Sequence, residues 1–93
     1  MTTTDMTTTD KIMPSIQKVL AIIEEREGVY KGTWKYVGIK DSLAVARVKT
    51  LRASEGIQDD VLGEKVEDDV LDAIAYLLFT HANLMRMKEL MAK

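Results

Sequence analysis

Apolar side chains recur at spacings of three and four over two long stretches, residues 12–23 and 66–91, the period of a helix with one covered face. In the first stretch Ile12, Ile16, Val19, Leu20 and Ile23 make the stripe. This helix is expected to start near Asp10, with Pro14 tolerated in the first turn and Gly28 as its C-cap after Glu24, Glu25, Arg26 and Glu27. In the second stretch Val66, Val70, Ala73, Ile74, Leu77, His81, Leu84 and Met91 form the strongest periodic signal of the chain. A shorter helix is expected over about residues 43–53, capped by Asp41 or Ser42, with Leu43, Val45, Ala46, Val48 and Leu51 as its apolar positions.

The connections differ in kind. Gly28, Gly32 and Gly38 punctuate residues 29–40 and argue for a structured loop holding Tyr30, Trp34 and Tyr36. Ser54-Glu55-Gly56 reads as a polar turn, followed by a short helical turn over 58–62 that Gly63 breaks. The opening MTTTDMTTTD repeats a five-residue unit and is nearly free of apolar side chains, the pattern of a disordered tail over residues 1–10. Residues 11–93 then form a single helical domain. Turn-bounded runs of β-branched residues are lacking, so the fold class is all-α: a small bundle of three to four helices with a long C-terminal helix.

Size and charge sharpen this picture. A chain of 93 residues buries only about 60% of its unfolded surface, so a homo-oligomer is expected. The net charge of −2 argues against a nucleic-acid polymer as partner. With no cysteine there are no disulfides and no thiolate metal ligands, which fits a reducing cytoplasm. Apolar runs such as residues 73–79 fall far short of the roughly 20 residues that span a bilayer, and the N-terminus lacks a signal-peptide pattern. The charges also segregate. Lys31, Lys35, Lys40, Arg47, Lys49 and Arg52 face only Asp41 in the middle of the chain, whereas Glu55, Asp59, Asp60, Glu64, Glu67, Asp68, Asp69 and Asp72 follow with only Lys65. Such blocks suit two halves that attract each other, or a site holding phosphate through its bases and a cation through its acids.

Four groups carry candidate chemistry. Acids in the first turn of a helix complement its dipole by about 0.3–1 kcal/mol each, which accounts for Glu67, Asp68 and in part Asp69 without any ligand. Asp72 lies a turn further in, on the same face as Asp68 and Asp69, where like charges repel unless a cation or a basic side chain compensates. Glu24 and Glu27 are either surface acids or, with Asp68 and Asp72, the second half of a divalent-metal site; Mg²⁺ favours one or two carboxylates plus substrate phosphates. Trp34, the only tryptophan, either plugs the core or stacks on a flat ligand, while Tyr30 or Tyr36 could stack a base beside Lys31 or Lys35. Lys49 and Arg52, three apart, are solvated, paired to acids, or phosphate-binding. His81 has no second histidine or cysteine near it and reads as a core or interface residue, and Met85, Met87 and Met91 read as adaptable packing. Glycine-loop phosphate cradles, nucleophile elbows and HExxH pairs are missing, which removes P-loop, α/β-hydrolase and zincin chemistry.

Taken in order, a helix, Tyr30-Lys-Gly-Thr-Trp34, Ser42-Leu43 opening a helix with Lys49-x-x-Arg52, and Glu67-Asp-Asp-Val-Leu-Asp72-Ala-Ile-Ala-Tyr76 resemble the nucleotide modification associated domain 1 of bacteriophages. More distantly the chain is similar to the MazG-type all-α NTP pyrophosphatases. The resemblance spans about residues 19–84 and points to Tyr30, Gly32 and Trp34, to Lys49 and Arg52, and to Glu67, Asp68, Asp72 and Tyr76. Ala75 departs from the polar residue usual before the last tyrosine, and Lys31 from the glycine that often follows the first. Glu24/Glu27 with Asp69/Asp72 match the catalytic acid pairs only loosely. The resemblance implies a phage-type protein of the host cytoplasm that captures a nucleotide or nucleotide-derived signal, such as an immune signal of the host. The alternatives are a Mg²⁺-dependent (d)NTP pyrophosphohydrolase and a structural helical oligomer without a small ligand.

Overall fold

A computed structural model of the chain describes residues 6–60 and 63–92, without the side chains of positions 29, 30, 59 and 60. It is all-α: α1 (Thr8–Tyr30), a short 3₁₀ turn (Thr33–Tyr36), α2 (Ile39–Asp60) and the long C-terminal α3 (Glu64–Ala92), with no strand among the described residues. No helix is long and apolar enough to cross a membrane among them.

The helix ends differ from the sequence expectation for local reasons. Thr7 and Asp10 form a reciprocal capping box, Asp10 N donating to Thr7 Oγ1 at 3.1 Å and Thr7 N donating to Asp10 Oδ2 at 3.2 Å. The helix therefore starts inside the threonine-rich segment, and Pro14 falls in its interior, where the proline cannot donate to the Asp10 carbonyl. At the other end α1 runs through Gly28 and stops at Lys31, held at φ 53° and ψ 49° with its N–H donating to the Glu27 carbonyl at 2.9 Å. A side chain in this left-handed region costs about 1–2 kcal/mol. Gly32 follows at φ 77°, a conformation that suits only glycine at low cost.

Helix α2 starts at Ile39 and continues through Ser54-Glu55-Gly56 with no turn there. Asp41 and Ser42 are therefore first-turn residues and not caps. Residues 58–60 belong to α2; positions 61 and 62 of the expected short turn lie outside the described residues. Gly56 is explained by packing: a Cβ there would sit 3.0 Å from Val66 Cγ2 of α3.

Helix α3 organises the molecule, since α2 packs along most of it and α1 crosses it more briefly. Across the α2–α3 seam the buried residues are Ser42, Ala46 and Ala53 facing Asp69, Ala73, Thr80 and Asn83. Spaced by threes, fours and sevens, they are small or polar, and Gly56 against Val66 marks the close approach of the two helices. Ser42 Oγ donates to the Ile39 carbonyl at 3.1 Å and meets Thr80 Oγ1 at 2.6 Å, while Thr80 donates to the Tyr76 carbonyl at 2.8 Å. Against α1, Val19 meets Leu71 and Ala75, with Ile22, Ile23, Ile74 and Phe79 partly covered around them.

The large apolar stripes take other positions. Ile12, Ile16 and Leu20 of α1, Leu43, Val48 and Leu51 of α2, and Val70, Leu77, Leu84 and Met91 of α3 are all exposed. His81 is exposed as well, so it is not a core histidine of the isolated chain.

Candidate functional site

Because α1 and α2 both lean on α3 and scarcely on each other, a cleft of about 500 Å³ opens between them. The short turn closes one end of it. Asn83 Nδ2 donates to the Trp34 and Val37 carbonyls at 3.3 and 3.4 Å, and Arg86 Nη1 donates to the Lys35 carbonyl at 3.3 Å. These bonds hold Trp34 over α3, where its ring stacks on Phe79 with centroids 5.5 Å apart and planes 14° apart. Tyr76 meets the same Phe79 edge-on at 6.0 Å. Trp34, Tyr76 and Phe79 all line the cleft.

The charged part of the cleft is one network. Arg26 Nη2 donates to Asp72 Oδ1 at 2.6 Å, and Lys49 Nζ lies 3.1 Å from Asp72 Oδ2 and 3.9 Å from Asp69 Oδ1. Arg52 Nε stands 3.6 Å from Asp69 Oδ2. Three cationic side chains thus meet two carboxylates, a surplus of one positive charge, and Glu27 also lines the cleft. Each helix contributes: Arg26 from α1, Lys49 and Arg52 from α2, the two aspartates from α3.

Of the residues singled out in the sequence, Trp34, Lys49, Tyr76, Asp72 and Glu27 line the cleft, and Arg52 joins through Asp69. Lys31 and Lys35 are exposed near the turn, and the side chain of Tyr30 lies outside the described residues. The four acids grouped as a metal site, Asp68, Asp72, Glu24 and Glu27, are not brought together: Asp68 and Glu24 are exposed, and Asp72 is engaged by Arg26 and Lys49. Among the described residues no three His, Asp or Glu side chains stand as a metal-holding group. Two carboxylates that already face three cations do not fit a resident divalent ion, which would first have to displace those cations. Glu67 pairs outside the cleft with Lys18 at 2.7 Å, and that hydrogen bond and charge raise the Lys18 pKa above the usual 10.5.

One member of the network, Arg26, has no role in the sequence reading, and another, Asp69, has a different one. Arg26 sat unnoticed in an acidic run, although it lies seven residues after Val19 and three after Ile23, on the covered face of α1. Asp69, read from the sequence partly as a helix-start acid and partly as a loose catalytic pair with Asp72, is the buried one, at 6% exposure. In comparisons with family models, curated proteins and solved structures, nothing matches this chain. What the cleft can do follows from its own geometry.

Proposed function

We propose that the cleft captures a nucleotide or a nucleotide-derived molecule, with the base held against Trp34 and Tyr76 and the phosphate drawn to Arg26, Lys49 and Arg52. One observation carries this reading: a stacked and edge-on aromatic group shares a 500 Å³ cleft with a cluster of cations. Stacking contributes about 1–3 kcal/mol per base and accepts any base. Arg26 donates through a single Nη2 contact to Asp72, and a guanidinium has five N–H donors, so it can hold Asp72 and a phosphate oxygen together. The occupied carboxylates favour capture over metal-assisted hydrolysis. In a phage setting, capture would remove a nucleotide immune signal from the host cytoplasm.

A second reading rests on the same distances. Every cleft cation already has an acid partner, so the network can also serve only to clamp α1 and α2 onto α3. The chain is further read as a homo-oligomer, because its radius of gyration of 16.2 Å exceeds the ~12 Å of a compact chain this long.

Titrating linear and cyclic nucleotides while following the single Trp34 by fluorescence separates these readings. Saturable binding, weakened about 10–100-fold by Arg26→Gln, is the expected result, the loss of one charge-assisted hydrogen bond. Intact ligand recovered after heating marks capture; Mg²⁺-dependent pyrophosphate release marks the hydrolase instead. No response to any nucleotide, with or without Mg²⁺, leaves the clamp alone.

A further inference from the structure

The side of the α2–α3 hairpin turned away from α1 is an apolar surface that no other part of the described chain covers. Along α3, Val70, Leu77, Leu84 and Met91 recur every seventh residue, a single seam on a helix. All four are exposed, Leu77 to 46% and Leu84 to 41%. At about 100° per residue, this seam lies roughly opposite Ala75, which meets α1 through Val19. On α2, Leu43 and Ile57 stand two heptads apart and are exposed too.

These two sets share one side of the hairpin. Lys49 and Asp72 approach each other on the cleft side of the α2–α3 seam. Around the wheel, Leu43 and Ile57 are displaced from the buried Ala46 and Ala53 away from Lys49; Val70 and Leu77 are displaced from the buried Ala73 away from Asp72. Both displacements lead to the face opposite the cleft. Between Val70 and Leu84 the seam and its flank, Ile74 and His81 included, hold no acid, lysine or arginine.

The chain as a whole exposes more surface than a compact fold of its size. The chain exposes 7537 Å², whereas a compact monomer of 10.5 kDa exposes about 5,400 Å². The surplus of about 2,100 Å², taken over the whole chain, leaves room for the ~800 Å² per partner of a stable interface. A twofold axis brings the same patch together from both copies. Its α3 seam between Val70 and Leu84 is uncharged and has nothing in it to repel its own image, while the exposed Arg47 of α2 flanks Leu43 on the same side. We infer that a second copy of this chain docks on this face, two α2–α3 hairpins packing back to back as a four-helix bundle with both clefts facing outwards. The inference rests on the homo-oligomer reading and assigns it a face.

The chain has no cysteine, so single-cysteine variants report on proximity directly. Under mild oxidation at least one of Val70→Cys, Leu77→Cys and Leu84→Cys gives a disulfide-linked pair, while Leu20→Cys on α1 gives none. In light scattering after size exclusion the wild-type chain has twice its 10.5 kDa mass. Leu77→Arg with Leu84→Arg halves that mass and keeps the helical circular dichroism. A wild-type monomer at micromolar concentration overturns both the association and the face. An oligomer that cross-links only through Leu20, or that survives the double arginine substitution, overturns the face alone. The cysteine series decides the matter even where the arginine variant fails to fold.

Discussion

Within the α2–α3 hairpin, the side chains that meet across the seam are small or polar, whereas those on the outer face are large and apolar. Ser42, Ala46, Ala53, Ala73 and Thr80 are buried; Leu43, Ile57, Leu77 and Leu84 are not. Ordinary burial would place them the other way round, because a leucine removed from water contributes about 1.5–3 kcal/mol and an alanine far less. The inner seam gains close backbone approach, as at Gly56 and Val66, together with satisfied polar groups. The larger hydrophobic gain remains available to a partner. The association inferred above would draw on that gain and would make stability depend on chain concentration.

The sharpest way to break this contrast is to truncate one leucine from each class. Leu71→Ala, at the α1 contact, should cost about 2–5 kcal/mol in urea unfolding at any protein concentration. Leu77→Ala should stay within about 0.5 kcal/mol of wild type in dilute protein and fall behind it as concentration rises. Equal losses from both, independent of concentration, would mean that the outer face has no partner.

Filling the inner seam comes next. Ala73→Leu adds volume where α2 lies against α3 and should cost about 1–3 kcal/mol through overpacking. A calorimetric Tm equal to the wild-type value would show the seam to be looser than its burial implies.

The smallest effect is expected at the Lys18–Glu67 pair, whose side chains are exposed. Because the Lys18 pKa is raised in the folded chain, its contribution is present below the unfolded value near 10.5 and fades as pH climbs through the folded value. Solvent screens such a pair, so Lys18→Ala should lower the neutral-pH Tm only slightly, and the difference from wild type should vanish as pH climbs through the folded Lys18 value.

The all-α class, the long last helix and Trp34 in the interhelical loop were legible in the sequence, since each depends on spacing along one segment. That Lys49 and Arg52 pair with Asp69 and Asp72 of α3 was only one of the alternatives it left open. Element ends were less legible. A capping box at Thr7 and a left-handed Lys31 moved both ends of α1 past positions that proline and glycine usually mark. Arg26 could have been found as a charge on the apolar face of α1.

What the sequence determined by itself was which residues share a face of each helix, because a period of 3.6 residues is a local property of the backbone. Only the tertiary structure decided which face turns inward. It selected the small and polar set on α2 and α3, placed Asp69 in the seam and Asp68 outside it, and drew Arg26, Lys49 and Asp72 from three helices into one cleft. Two helices approach closely only where side chains are small, and a buried carboxylate is tolerated only where cations from other helices can reach it. Neither condition is visible along a single helix.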